Sequence, residues 1–181
     1  MAKIQIGSLD DGVIVEEKTG FKESGRHEIE LEHGYLAVVQ DTDKEFGFIT
    51  ENKTVRIQRV WAIKKEPFNI LWGVCDTVID GKKGGANGVF TLSVLDGYEK
   101  DLIKERKNPA DTTKITTEDI KQQIKNACYA EISKQLGTYK EVNKEEEEQL
   151  LKSNLYPIIS NYRFALKAVT INDTIAYPGE V

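Results

Sequence analysis

The sequence predicts an α+β fold with an antiparallel, strand-rich first half, then two amphipathic helices and a closing C-terminal strand. Three observations predict it. Short apolar runs recur between residues 4 and 95, many alternating with polar residues and most bounded by glycine, asparagine or aspartate. Two segments with apolar residues three and four apart follow, each opened by a residue that caps helices. Residues 163–175 then form an apolar, β-branched stretch that leaves no room for a loop after the second helix.

Ile4 and Ile6 alternate with polar neighbours, as a half-buried strand requires. Asp11-Gly12 separates them from Val13-Ile14-Val15. It predicts a type I′ hairpin, whose two central residues both need positive φ. Residues 16–25 read as a polar loop. His27-Glu28-Ile29-Glu30-Leu31-Glu32 alternates again, Gly34 interrupts, and Tyr35-Leu36-Ala37-Val38-Val39 restarts as a more buried strand.

Residues 41–45 read as a turn, Phe46-Gly47-Phe48-Ile49 as a strand, and residues 55–63 as one longer strand. Pro67 marks a break, since it cannot donate to a ladder. Residues 69–74 form the next strand and residues 81–88 a flexible, glycine-rich turn. Residues 89–95 return as a strand that ends at Asp96-Gly97-Tyr98. The first half thus reads as a series of antiparallel hairpins.

Residues 100–113 are charged and contain Pro109. Thr116 with Asp119 resembles a capping box. The helix behind it carries Ile120, Ile124, Ala127, Cys128, Ile132 and Leu136, with Gly137 as its C-cap. Asn143 is the expected cap of the second helix, paired with Glu146. Glu145, Glu146, Glu147 and Glu148 fill its first turn, where the helix dipole favours negative charge. Pro157 interrupts the apolar pattern and costs ~3 kcal/mol in a helix interior. A break is expected there, with Asn154 as a fresh cap. The expected core includes Val38, Ile57, Trp61, Trp72, Leu92, Val94, Ile120, Ile124, Cys128, Leu151 and Val169.

The chain has 181 residues, 39% hydrophobic and 30% charged, which fits one sizeable globular core. Thirty acidic residues against 25 basic ones give a net charge of -5. That bias argues against a nucleic-acid partner. Two distant cysteines make no disulfide framework. The first residues lack a signal-peptide pattern, and no segment approaches the ~20 apolar residues of a membrane span. The expected location is the cytoplasm, with contact to the inner face of a membrane only peripheral.

Few residues offer chemistry. Cys75, Cys128, His27 and His33 are the soft-ligand or nucleophile candidates, and their spacing suits neither a zinc site nor a thiol–imidazole pair. Residues 41–45 begin like a calcium loop but lack the glycine and distal glutamate of an EF-hand. In residues 81–88 the lysines precede the glycines, which is the wrong order for a phosphate loop. No catalytic residue, cofactor or metal is therefore expected. Trp61, Phe68 and Trp72 are either core or, if exposed, a self-association surface.

The order of elements resembles the stomatin–prohibitin–flotillin (SPFH, Band 7) domain, nearest its soluble bacterial, virion-core-protein-like branch. Leu31-Glu32-His33-Gly34-Tyr35-Leu36-Ala37-Val38-Val39 stands where that domain opens its core. Ile70-Leu71-Trp72-Gly73-Val74, then Leu92 leading to Gly97-Tyr98, then Glu118-Asp119-Ile120 follow in the family's order. The ending from Tyr162 to Pro178 matches too, although Arg163 and Phe164 replace the usual glycine pair. The likeness spans residues 30–181. The family's coiled-coil tail, membrane hairpin and acylation site have no counterpart in these 181 residues.

Residues 1–30 have no counterpart in the family and read as an N-terminal β-hairpin extension ahead of an SPFH-like domain, residues 31–181. The resemblance implies a non-catalytic scaffold that assembles with itself and organises partner proteins. The residues alone leave open a module that binds a peptide or small ligand at a sheet edge or groove, and a thiol enzyme around Cys75.

Overall fold

The computed structural model describes residues 2–21, 25–105 and 114–177. Pro109 and residues 178–181 lie outside them. The chain forms two compact units. The first joins Met1–Glu66 to Val94–Glu118, and the second joins Pro67–Ser93 to Asp119–Val181. The fold is α+β and rich in strand, with a C-terminal strand after the helices.

In the first unit, strands β1 (Ala2–Ile6), β3 (Arg26–Leu31) and β6 (Lys53–Arg56) form one sheet in the order β1-β3-β6. A second sheet runs β10-β2-β7-β4-β5. Its strands are β2 (Val13–Lys18), β4 (Tyr35–Gln40), β5 (Phe46–Ile49), β7 (Arg59–Lys64) and β10 (Lys114–Thr116). One apolar cluster draws on both sheets, with Ile4, Ile6 and Ile29 from the first and Val13, Ala37, Ile49, Val60 and Ala62 from the second. Period-two alternation produces this, because each strand turns every other residue toward the shared core.

Three expectations need correction here. Residues 1–30 are not a hairpin extension: β1 pairs with β3, in parallel, and β2 joins the other sheet beside β7. The boundary at residue 30 also falls inside β3. The reason lies at residues 7–12. Only Gly12 of the Asp11-Gly12 pair has positive φ, at 78°, so no type I′ turn forms. Instead the chain arches over, and Ser8 donates its N–H and hydroxyl to the Glu32 carboxylate at 2.9 and 2.8 Å. The excursion through β2 is then the crossover that a parallel pair needs. Residues 55–63 likewise split between two sheets. Buried Ile57 plugs the core at the break, and Gln58 N–H bonds the Gln40 carbonyl at 2.8 Å.

A short helix, α1 (Glu99–Lys104), lies on the far face of the larger sheet. Lys104 Nζ stands 4.9 Å from the Phe46 ring centre and Lys100 Nζ 5.9 Å from that of Phe48. Lys65 Nζ gathers the end of β7 to this helix, reaching Val94 O at 2.9 Å, Glu99 Oε1 at 2.8 Å and Asp96 Oδ1 at 2.7 Å.

The second unit is a sheet in the order β11-β9-β8, packed with two helices. Its strands are β8 (Phe68–Ile79), β9 (Lys82–Val94) and β11 (Phe164–Ala176). Helix α2 (Thr117–Leu136) starts directly after Thr116, as the box predicts, and buries Ile120, Ile124, Cys128, Ile132 and Leu136 at spacing four. Helix α3 (Lys144–Ser160) follows a 3-10 turn, Glu141–Asn143, and buries Leu151, Leu155 and Ile159. All eleven expected core residues are buried.

Two helix details differ from expectation. Asn143 makes no side-chain cap bond. Pro157 does not break α3: it lies inside Lys144–Ser160 on the exposed side of the helix. Asn154 is no cap either. Its amide donates to Gln135 Oε1 at 2.9 Å, and Gln135 Nε2 donates to Glu147 O at 3.2 Å, which ties α3 to α2.

Candidate functional site

The β8–β9 hairpin of the second unit holds the most distinctive surface of the molecule. Its turn is Asp80-Gly81, with φ of 48° and 75°, as a type I′ turn demands. The glycine-rich residues expected as a flexible turn are therefore strand: β9 begins at Lys82 and buries Gly84, Gly85, Ala86 and Gly88. Close approach of neighbours explains Gly85 and Gly88, and a Cβ on Gly85 would lie 2.9 Å from the Val74 carbonyl oxygen. A Cβ on Gly88 would collide with the Thr170 carbonyl oxygen of β11 and come within 2.7 Å of Trp72 Nε1. The Trp72 indole crosses β9 there and donates to Thr170 O at 3.2 Å. Trp72 also stacks on Phe90, 5.9 Å between ring centres.

The sheet has two outer edges, and they are finished differently. At β11, Thr170 C=O points toward β9. The trans peptide therefore sends the N–H of Ile171 outward. The Glu148 carboxylate of α3 accepts that N–H at 2.7 Å. Glu148 belongs to the acidic run of α3, so part of this run closes a sheet edge rather than merely meeting solvent.

At β8, no second strand neighbour is found among the described residues. This strand is 12 residues long and carries one charge, Asp76. The other edge strands follow the usual defences against chance pairing. They are short (β5 and β6 have four residues, β10 three), or they carry lysine, as β1 and β11 do. On β8, Leu71 is 59% and Val78 49% exposed. Gly73 is exposed as well, and its only atoms are backbone. The free stretch runs from residue 68 to 74. Beyond it the ladder shifts register between Val74 and Thr77, with Asp76 at φ 54°. Two tyrosines fix this bulge: Tyr129 donates to Cys75 O at 2.9 Å, and Asp76 N–H donates to Tyr177 Oη at 3.2 Å.

Of the three aromatic residues read as core or, if exposed, a self-association surface, Trp61 and Trp72 are core, 1% and 2% exposed, and Phe68 is half-buried. Trp61 lies under Phe46, with Arg59 over its ring at 4.8 Å and Arg59 paired to Glu17. Phe68 meets Phe164 edge-on at 6.0 Å. Indole rings bury too much apolar area to be left in water without a partner. Leu71, next to Trp72 in sequence, is among the exposed apolar residues. Strict alternation from buried Ile70 and Trp72 was the signal that marks it.

The four nucleophile or ligand candidates are dispersed. His27 is buried in the first unit against the edge of Phe21, 5.1 Å between ring centres, and His33 is exposed in a turn. Cys75 is exposed on the bulge of the second unit, and Cys128 is buried in α2, where burial pushes its thiol up to about 12. Such a thiol is not a nucleophile near neutral pH. Among the described residues no three His, Cys, Asp or Glu side chains converge as a metal site would require. Asp41 Oδ1 accepts the N–H of Asp43 at 2.9 Å and of Glu45 at 3.0 Å, so the calcium-like stretch is a turn held by its own aspartate. A groove of about 200 Å³ between Ile79, Tyr139 and Ile175 is below the ~300–1,000 Å³ of typical ligand pockets. Among the described residues no helix is long and apolar enough to cross a membrane.

No protein-family model matches the chain, and a search of curated proteins returns no significant match.

Proposed function

We propose that this chain is a non-catalytic scaffold of the stomatin–prohibitin–flotillin type, an oligomerisation domain that organises partner proteins. The observation that carries the reading is the open β8 edge, long and nearly uncharged in a molecule whose other edges are short, charged or capped. Unpaired N–H and C=O groups along such an edge favour a protein strand as partner. The order of elements supports the family assignment: strands first, then two helices, then a closing strand. Dispersal of the cysteines and histidines, and the raised thiol of Cys128, support a role without bond-making chemistry.

Light scattering on the purified chain tests this directly. Association should appear as concentration rises into the high micromolar range, and high salt should leave it intact because the edge is uncharged. A strict monomer at every concentration and salt would overturn the proposal.

A further inference from the structure

We infer that two copies of this chain pair through β8, antiparallel, about a two-fold axis at Leu71. The inference rests on the scaffold reading above and specifies its geometry.

An open strand edge presents backbone groups that a second strand can meet in register, and among the described residues β8 is the one long edge left without a cap. Charge allows the self-match. The chain as a whole is acidic at -5, yet residues 68–74 carry no charge, so pairing them with themselves sets no like charges opposite. A two-fold antiparallel pair centred on Leu71 uses the whole free stretch. Phe68 then lies opposite Val74 of the second copy, Asn69 opposite Gly73, Ile70 opposite Trp72, and Leu71 opposite itself. Apolar residues of the inner face meet apolar residues. On the outer face the Asn69 side chain faces a glycine, and the two exposed leucines cover each other.

The ends of this register also agree. One step further, Pro67 would face Cys75. Pro67 has no N–H to give, and the Cys75 carbonyl is already taken by Tyr129. The ladder therefore stops at the same place on both sides. The resulting sheet has six strands, β11-β9-β8 followed by β8-β9-β11 of the second copy. Its outer edges are the β11 strands, each with Glu148 bonded to an outward N–H, so assembly through this surface ends at two.

Cross-linking of the full chain tests the axis. In a Cys75→Ser background, Leu71→Cys puts each new thiol opposite its own copy. Facing Cα atoms then stand ~4.5–5.5 Å apart, within the span a disulfide bridges. Mild oxidation should give a covalent dimer in most chains. Asn69→Cys should give none, because its copy lies four residues along the ladder. Leu71→Lys sets two ammonium groups face to face and should weaken the dimer at least tenfold in light scattering. A dimer that neither cross-links at residue 71 nor responds to Leu71→Lys overturns this inference and leaves the scaffold reading standing. Equal cross-linking at residues 69 and 71 overturns it too. A strict monomer overturns both.

Discussion

Replacing Gly88 with alanine tests the packing on which the second unit depends. The added methyl would lie inside contact distance of the Thr170 carbonyl oxygen, and 2.7 and 2.8 Å from Trp72 Nε1 and Cε2. Backbone and a buried indole cannot yield as an exposed side chain does. Overpacking of this kind costs about 1–3 kcal/mol. If β11 moves away, the Trp72–Thr170 hydrogen bond goes with it, and a stranded buried donor costs about 1–3 kcal/mol more. The sum, about 2–6 kcal/mol, is a large share of the ~5–15 kcal/mol that holds a domain together. At ~2–4 °C per kcal/mol for a chain of this size, the melting temperature should fall by at least about 4 °C. Urea unfolding followed by tryptophan emission measures the change. Gly47→Ala in β5 is the control, since its Cβ would meet only Val39 Cγ2 at an ordinary 3.6 Å. Alanine in a strand is favoured over glycine by about 0.5–1 kcal/mol, so the control should be neutral or stabilised. A Gly88→Ala protein as stable as the control would refute the close approach of β11.

Three further outcomes follow. With a disulfide-exchange reagent at pH 8, one thiol, Cys75, should react in the folded chain and two in urea; two reacting at equal speed in the native state would contradict the burial of Cys128. Folding raises the pKa of Cys128 through burial, and raises that of Tyr139 through burial and its bond to Glu141. The folded state thus keeps protons that the unfolded chain releases, so stability is full below pH about 9 and is lost as pH rises toward 12. Urea midpoints at pH 8 and 10.5 should show the fall, and a flat profile would argue against it. Glu148→Ala leaves the Ile171 N–H without its charged acceptor. It should cost about 1.5–3 kcal/mol and turn a closed dimer into larger species by light scattering; unchanged size would mean that the β11 edge is closed by other means.

Much of the fold was legible because burial follows period. The spacing of Ile120, Ile124, Cys128, Ile132 and Leu136 marked the inner face of α2, and apolar strand runs marked Val38, Trp72 and Leu92. What was not legible depends on partners far along the chain. Nothing near Ile4 says that β1 will lie parallel to residues 26–31, or that Asp11-Gly12 will turn the chain into another sheet. The glycines of β9 read as a loop because local propensity treats glycine as a breaker. Here the Trp72 indole and the Thr170 carbonyl, 16 and 82 residues from Gly88, require the glycine at that position. Pro157 was misread for the same reason: its cost depends on which face of α3 it occupies, and the sheet decides that face.

The candidate site was hidden for a different reason. Aromatic residues draw the eye as interface anchors, but Trp61 and Trp72 are large enough to organise a core, and the core claimed them. A sheet edge has no composition of its own, since what it offers is backbone. Its trace in sequence is negative: 12 residues of β8 with a single charge and no lysine. Selection against chance pairing ordinarily places charge on such strands. The same molecule shows that it has the means, with Lys53 and Arg56 on β6 and Glu148 set against β11. Leaving β8 bare amid those defences is therefore a departure from the molecule's own pattern, and the proposed partner strand would account for it.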